Sequence, residues 1–193
     1  SAAANVSRIE QAGGTAAASH IDVSKSEDIA RMVEEAVALY GRLDILVQNA
    51  FGVIEGESKI HGSAVTVAEE DWDYGISVLL KALYLGAKHA IPHMRAAGGG
   101  NIINLASVHS FLQESGMLVY EAGKAGVVGI TRQMAVEFGP EGIRVNAIAP
   151  GHIVSEGLAK MWQKNPDGLA FFAEQYPVRR TGTPEDIANG IAF

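Results

Sequence analysis

Asn104-Leu105-Ala106-Ser107 stands near the middle of the sequence, and Tyr120-Glu121-Ala122-Gly123-Lys124 begins thirteen residues after the serine. The apolar run before Ser107 predicts a buried strand that ends at this serine, and the small residues after Tyr120 predict a helix. On a helix, Tyr120 and Lys124 are four residues apart, so their side chains leave the same face. A hydroxyl, a phenol and an ammonium group are therefore expected at the carboxyl edge of a sheet, where open α/β folds bind ligands.

This arrangement resembles the short-chain dehydrogenase/reductase family, in which a serine precedes a Tyr-x-x-x-Lys motif such as Tyr120 to Lys124. Four further motifs follow in the order of the family: Asp22-Val23, Gln48-Asn49-Ala50, Trp72-Asp73 and Asn146-Ala147-Ile148-Ala149-Pro150-Gly151. The resemblance implies an α/β fold, a Rossmann-like doubly wound parallel sheet. It also implies that the first two strands and the last strand of the family are not in this sequence.

The composition of the chain excludes several classes of function. The chain has 193 residues, of which 48% are hydrophobic and 19% charged, enough for one domain with a sizeable core. The net charge is −7, and no basic cluster exceeds Arg179-Arg180, which argues against nucleic acid and against an anionic membrane surface. The absence of cysteine excludes disulfides and thiol catalysis. No apolar run reaches the roughly 18 to 20 residues of a membrane span, so we expect a cytoplasmic protein that acts on a small molecule.

Strands and helices are expected to alternate along a single partial domain, residues 1–193, which predicts parallel strand pairing. Strands are predicted near 16–23, 44–49, 101–107 and 143–149. Capping boxes are predicted at Ser24 and Glu27 and at Thr66 and Glu69, and a helix is expected to kink or stop at Pro92. The long segment 51–65 is interpreted as a lid or a substrate-facing insertion. The amphipathic segment 152–180 resembles the mobile substrate lid of the family.

The glycine-rich turn with which the family holds a pyrophosphate is not found. Gly13-Gly14 follows a predicted helix instead of preceding one, so this pair does not fit that role. In the family the two absent strands lie between the strand that corresponds to the one ending at Asp22 and the strand that corresponds to the one ending at Gln48. We therefore expect either a gapped sheet or direct pairing of these two strands.

The family resemblance implies a role for each central residue. Tyr120 would exchange a proton with the oxygen of a secondary alcohol or ketone while hydride moves to or from NAD or NADP. Lys124 would lower the pKa of that tyrosine, which is about 10 for a free side chain, and hold the nicotinamide ribose. Ser107 would bind the substrate oxygen. The residue that selects NAD or NADP would lie in the absent second strand.

Cofactor contacts are predicted from the resemblance at ten positions: Asp22, Val23, Asn49, Ala50, Tyr120, Lys124, Pro150, Gly151, Ile153 and Ser155. Two alternatives stay open, because Asp22 also suits a helix cap and Phe51 also suits packing at the strand end. His109 is predicted to face the substrate, and both His109 and His152 suit a polar pocket wall better than a catalytic base. The remaining histidines show no metal-ligand spacing, so no metal site is predicted.

One position departs from the family. Leu79, seven residues after Trp72, stands where the family usually has an asparagine that anchors a water between the lysine and solvent. Leucine does not hold a water, so we hypothesise a slower turnover or another proton route. A Leu79→Asn variant is expected to be faster at neutral pH.

Two other functions remain open. One is a non-catalytic relic or fragment of such an enzyme that does not bind the cofactor, with helices at 72–94 and 120–138 that serve self-association. The small residues on these helices suit a homodimer or a homotetramer of the complete protein. The other is an epimerase or dehydratase with a Tyr-Lys pair, although the usual larger substrate domain of those enzymes does not fit within 193 residues.

Overall fold

A three-stranded parallel sheet forms the centre of the fold in the computed structural model, which describes residues 2–51 and 61–193. Its strands are β1 (Ile45–Gln48), β2 (Gly100–Leu105) and β3 (Ile143–Ile148), in the order β1-β2-β3. Leu46 lies opposite Ile102, which in turn lies opposite Val145. The predicted α/β fold with a short parallel sheet is confirmed.

Helices precede, connect and follow these strands. They are α1 (Ala2–Gln11), α2 (Ser26–Tyr40), α3 (Glu69–Ile76), α4 (Ala82–Ala96), α5 (Leu118–Phe138), α6 (Glu156–Trp162), α7 (Pro166–Gln175) and α8 (Pro184–Ala192). A π-helical segment, Ser77–Lys81, joins α3 to α4, and short 3-10 helices lie at Val108–Ser110 and Gly139–Glu141. Within the described ranges, every helix is too short or too polar to cross a membrane.

The strand predicted near 16–23 is wrong: residues 14–22 have no regular secondary structure. A strand needs a hydrogen-bonding partner, and this segment bonds to α2 instead of to β1. Arg31 donates a 3.0 Å hydrogen bond to the carbonyl oxygen of His20, and Ser19 donates a 2.6 Å bond to Glu35. Neither of the two expected arrangements, a gapped sheet or direct pairing with the strand that ends at Gln48, is therefore formed, and Ile45 on β1 stays 57% exposed.

Several predicted helix boundaries also differ. The capping boxes at Ser24 and Thr66 do not form, because α2 and α3 begin after Lys25 and Ala68 without a side-chain cap. Thr66 instead accepts a 2.8 Å hydrogen bond from the backbone of Ser63. Helix α4 does not stop at Pro92 but continues to Ala96.

The core lies between the sheet and helices α4 and α5. Its members are apolar side chains from all three strands and both helices: Leu46, Ala87, Ala90, Ile91, Met94, Ile102, Met134, Ile143 and Val145. Polar side chains also form hydrogen bonds inside the protein. Asn104 is buried, accepts a 2.9 Å hydrogen bond from Gln48 and donates another of 2.9 Å to Thr131. These contacts fix α5 against the carboxyl ends of β1 and β2.

Candidate active site

The segment after β2 is tied to the segment after β3. Ser107 caps the short helix Val108–Ser110, and its hydroxyl oxygen accepts a 3.2 Å hydrogen bond from the backbone of His109. The backbone of Val108 donates a 3.0 Å bond to the carbonyl oxygen of Pro150. Two strand ends therefore meet at Ser107, as expected for a ligand site on an α/β sheet.

Helix α5 places Tyr120 and Lys124 beside this strand end. The Nζ atom of Lys124 donates a 2.6 Å hydrogen bond to the carbonyl oxygen of Leu105 and lies 5.9 Å from the centre of the Tyr120 ring. Ser110 donates a 2.7 Å bond to the carbonyl oxygen of Lys124. These bonds join α5 to the strand end from both sides, so the separation of the phenol and the ammonium group is held by the fold.

Lys124 is only 8% exposed. Burial disfavours its charged form and lowers the pKa of Lys124 from 10.5 to about 8. The amine therefore remains mostly protonated at neutral pH, although it loses its proton far more easily than a surface lysine.

A cavity of about 290 Å³ opens at this strand edge. Ser107, His109, Tyr120 and Gly151 line it, together with Phe51, His61, Val108, Met117, His152, Phe172 and Tyr176. Four of the predicted site residues thus share one cavity, and Lys124 lies in contact range of Tyr120. A hydroxyl, a phenol and imidazole groups around a space of this size suit a small ligand that carries an oxygen.

A second, mostly apolar cavity of about 120 Å³ lies along β1 and includes Val23, Asn49 and Ala50 in its wall. Asp22 does not line it. Its carboxylate accepts hydrogen bonds of 2.9 and 2.7 Å from the backbone and hydroxyl of Ser24, and these bonds lower the pKa of Asp22. Asp22 therefore closes a local turn with Ser24, and the alternative that it caps the next helix is wrong, because α2 begins after Lys25 without a side-chain cap.

The other predicted contacts lie in different places. The ring of Phe51 packs edge-on against Tyr120 at 6.0 Å, which agrees with the packing alternative for the end of β1. Ile153 pairs with Gly182, and Ser155 is exposed and caps α6 by accepting a 3.4 Å hydrogen bond from Leu158. Ile153 and Ser155 therefore have local structural partners, and neither lines the two cavities described above. Residues 52–60 of the predicted insertion lie outside the described residues.

Glu121 is a site residue that the sequence did not reveal. It is 9% exposed, and its carboxylate lies 3.1 Å from Nδ1 of His109. The same oxygen accepts a hydrogen bond from the backbone of Glu114. Both partners come from the loop before α5, and no spacing rule relates a loop residue to a helix residue, so only the folded structure brings them together.

An aromatic cluster closes the other side of the cavity. The ring of His152 stacks on Phe172 with a centroid distance of 4.4 Å and accepts a 3.0 Å hydrogen bond from Trp162. The backbone of His152 donates a 2.7 Å bond to the hydroxyl of Tyr176. Burial lowers the pKa of His152, which favours the neutral ring that this bond requires. Helices α6 and α7 are thereby held against the strand end after β3.

Leu79 lies in the π-helical segment beneath the site and is 2% exposed. It packs with Val119 and lies so close to Gly123 that a β-carbon added to this glycine would be 2.7 Å from the β-carbon of Leu79. The residue that departs from the family pattern thus contacts the helix between Tyr120 and Lys124 through apolar atoms.

Comparison with known proteins identifies the family. A family model described as enoyl-(acyl carrier protein) reductase matches residues 1–193, the whole chain. The chain belongs to the short-chain dehydrogenase/reductase family. The cavity around Ser107 and Tyr120 therefore lies in a member of this family.

The alignments with individual relatives span most of this chain. An uncharacterized oxidoreductase of Schizosaccharomyces pombe is 38% identical over 89% of the chain and 64% of the relative. Cis-4-hydroxycyclohexanecarboxylate dehydrogenase of Sinomonas cyclohexanicum is 36% identical over 96% of the chain and 71% of the relative. Human dehydrogenase/reductase SDR family member 4 is 34% identical over 89% of the chain and 59% of the relative. The chain thus spans about two thirds of the length of these relatives.

Solved structures agree with this assignment. A putative short-chain alcohol dehydrogenase from Sinorhizobium meliloti is 34% identical and superposes with a TM-score of 0.88, covering 99% of this chain and 73% of that one. ElxO, solved with NADP bound, is 30% identical with a TM-score of 0.80, covering 90% of this chain and 68% of that one.

Proposed function

We propose that the protein interconverts a secondary alcohol and a ketone by hydride exchange with NAD or NADP, with Tyr120 as the acid and base. The observation that carries this proposal is the position of Lys124, a buried ammonium group fixed between the carbonyl oxygen of Leu105 and the ring of Tyr120. The names of the relatives support an oxidoreductase, and the NADP-bound ElxO structure supports a nicotinamide cofactor.

The residues present fit a cofactor at this edge. Lys124 uses one donor on Leu105, and an ammonium group has two more for the hydroxyls of a ribose. Tyr120 and Gly151 line the main cavity, whereas Val23, Asn49 and Ala50 line the second one along β1. We assign these residues, with Pro150, to cofactor binding, whereas Asp22, Ile153 and Ser155 are weaker candidates because each has a local partner.

The substrate oxygen would bind between Ser107 and Tyr120. The oxygen of Ser107 already accepts a hydrogen bond from His109, so its own proton is available for donation to the substrate. In ketone reduction, Tyr120 would donate its proton to the carbonyl oxygen, and in alcohol oxidation it would accept that proton. A bound nicotinamide would supply or accept the hydride.

Lys124 would act on Tyr120 through its charge. A positive group close to a phenol stabilises the phenolate and therefore eases proton transfer in both directions. Because the amine is fixed by Leu105 and buried, little water lies near it to screen this effect. His109, in the same cavity, would contact the substrate.

We also propose that the protein is a cytoplasmic homodimer or homotetramer. A largely apolar groove between α4 and α5 supports self-association, with Tyr84, Ile91, Met134 and Phe138 in its wall. Analytical ultracentrifugation tests this state, and a concentration-independent monomer would contradict it.

Fluorescence titration with NADH and NADPH tests the proposed function. We expect saturable binding of at least one of them, followed by oxidation of secondary alcohols in the presence of the oxidised form. Failure to bind both cofactors would instead support the alternative of a non-catalytic relic or fragment.

A further inference from the structure

His109 takes part in a cluster of ionisable groups at the wall of the main cavity. Its ring meets the ring of Tyr120 at a centroid distance of 5.6 Å. On the other side, Nδ1 lies 3.1 Å from the carboxylate of Glu121, and Nε2 lies 4.0 Å from the carboxylate of Glu114. One imidazole ring thus contacts the proposed acid and two carboxylates.

This cluster reaches from the cavity to solvent. His109 lines the cavity together with Tyr120, whereas the side chain of Glu114 is 69% exposed. Glu121 is buried and bonded to the backbone of Glu114, so it holds the ring of His109 in place. An imidazole that is fixed between a buried site and an exposed carboxylate is well placed to move protons, because one ring nitrogen can accept a proton while the other donates one.

The side of the site that holds Lys124 is less exposed to solvent than the side that holds His109. Lys124 is 8% exposed and donates to Leu105, and the apolar side chain of Leu79 packs on the helix between Lys124 and Tyr120. The imidazole of His109 therefore offers the more polar path.

We propose that His109, oriented by Glu121, carries protons between solvent and Tyr120 during turnover. This inference deepens the proposed function and rests on it. After Tyr120 has given its proton to a ketone, the phenolate takes a proton from the imidazolium of His109 through one water. The neutral imidazole then takes a proton from solvent beside Glu114. Alcohol oxidation runs these steps in reverse, and Glu121 acts throughout as a positioning residue.

Chemical rescue tests this assignment. His109→Ala is expected to lower the rate by roughly a hundredfold, and added imidazole is expected to restore much of it in proportion to its concentration. Wild-type protein should not respond to imidazole. Glu121→Gln keeps an acceptor for Glu114 but removes the charge, so we expect a smaller loss and a changed pH-rate profile.

The pH dependence of the rate has to distinguish the contribution of His109 from the contributions of the ionisable groups near it. The groups that face it or share its cavity are Glu114, Tyr120, Glu121, His61, His152 and Tyr176. A matched control is His93→Gln, which removes a histidine from a surface pair with Glu34 at 3.2 Å and should leave the rate unchanged. Circular dichroism would verify that each variant is folded, and His109→Gln serves as a second variant at the same position.

The outcomes separate the two proposals. An unchanged rate in folded His109→Ala and His109→Gln, or a loss that imidazole does not restore, would overturn the proton route while activity that depends on Tyr120 upholds the proposed function. A wild-type protein that binds no nicotinamide cofactor and has no turnover would overturn both.

Discussion

The ammonium group of Lys124 donates a 2.6 Å hydrogen bond to the carbonyl oxygen of Leu105, the last residue of β2. This bond ties α5 to the strand end, one helical turn from Tyr120 and two residues before Ser107. The same contact buries the amine and sets its charge beside the phenol. Stability and the proposed chemistry are therefore linked through one side chain.

The burial of Lys124 predicts that the unfolding free energy rises as the pH rises above about 8. Its pKa is lowered to about 8 in the folded protein, below the value of 10.5 for an unfolded chain, so the unfolded state binds the proton more tightly between these values. Relative to a Lys124→Met variant, wild-type protein should therefore gain up to about 3 kcal/mol of unfolding free energy as the pH rises from 8 to 10.5.

Urea unfolding at several pH values measures this difference. The exposed Lys164→Met substitution is the control and should give a curve parallel to that of wild-type protein. If the Lys124→Met curve were equally parallel, the burial of the amine would not have the effect described.

Gly123 is predicted to tolerate no side chain. A β-carbon there would lie 2.7 Å from the β-carbon of Leu79, so Gly123→Ala should cost about 1 to 3 kcal/mol in unfolding free energy. Gly129 lies on the same helix, and an added β-carbon there would have no described atom within 4 Å beyond its neighbours and the backbone of the helix, so Gly129→Ala should stabilise by up to about 1 kcal/mol. Equal effects of the two substitutions in denaturant unfolding would contradict the close packing of Leu79 on α5.

Leu79→Asn is predicted to raise turnover at neutral pH. An amide at this position would bring a polar group next to the helix that carries Tyr120 and Lys124, and with it a water that a leucine does not bind. Because the position is buried among apolar groups, the same change should lower the unfolding free energy by about 1 to 3 kcal/mol. Steady-state rates at pH 7 measure the effect, and rates equal to those of wild-type protein would remove the case for a missing relay.

The contacts of His152 predict that acid weakens the packing of helices α6 and α7. Trp162 donates to Nε2 of His152, and a protonated ring has no acceptor there. Since burial lowers the pKa of His152 below 6.5, its stabilising contribution is present above that pH and is lost as the pH falls through the folded value. Tryptophan fluorescence should change at acidic pH in wild-type protein. In His152→Phe, which keeps the stacking on Phe172, this change should be absent, and an identical change in both proteins would exclude His152 as its cause.

The sequence predicted those parts of the fold that depend on local pattern. The apolar runs that end at Gln48 and Ser107 indicated strands, although β1 is exposed on one face, and the family resemblance of Ser107 and Tyr120 indicated that they share an edge. The segment near 16–23 carried a weak strand pattern, but a strand also requires a partner, and bonds from Arg31 and Ser19 fix this segment on α2 instead. Sequence alone does not show which competing hydrogen bond prevails.

Contacts between segments that are far apart in the sequence could not be predicted, for the same reason. Glu121 follows Tyr120 on a helix, where a carboxylate usually faces solvent, yet it is buried by the loop that carries His109 and Glu114. The hydroxyl of Tyr176 accepts its bond from the backbone of His152, 24 residues away. Such contacts are set by loop paths, which have no periodic signature.

The rate of ketone reduction by Tyr120→Phe with NADH or NADPH tests the proposed role of Tyr120, because this substitution removes one hydroxyl and keeps the ring that packs against Phe51. We predict that cofactor binding is retained while the rate falls by roughly a hundredfold to ten-thousandfold, whereas Tyr40→Phe at an exposed site of α2 has no effect. A Tyr120→Phe protein that reduces ketones as fast as the wild type would contradict the account.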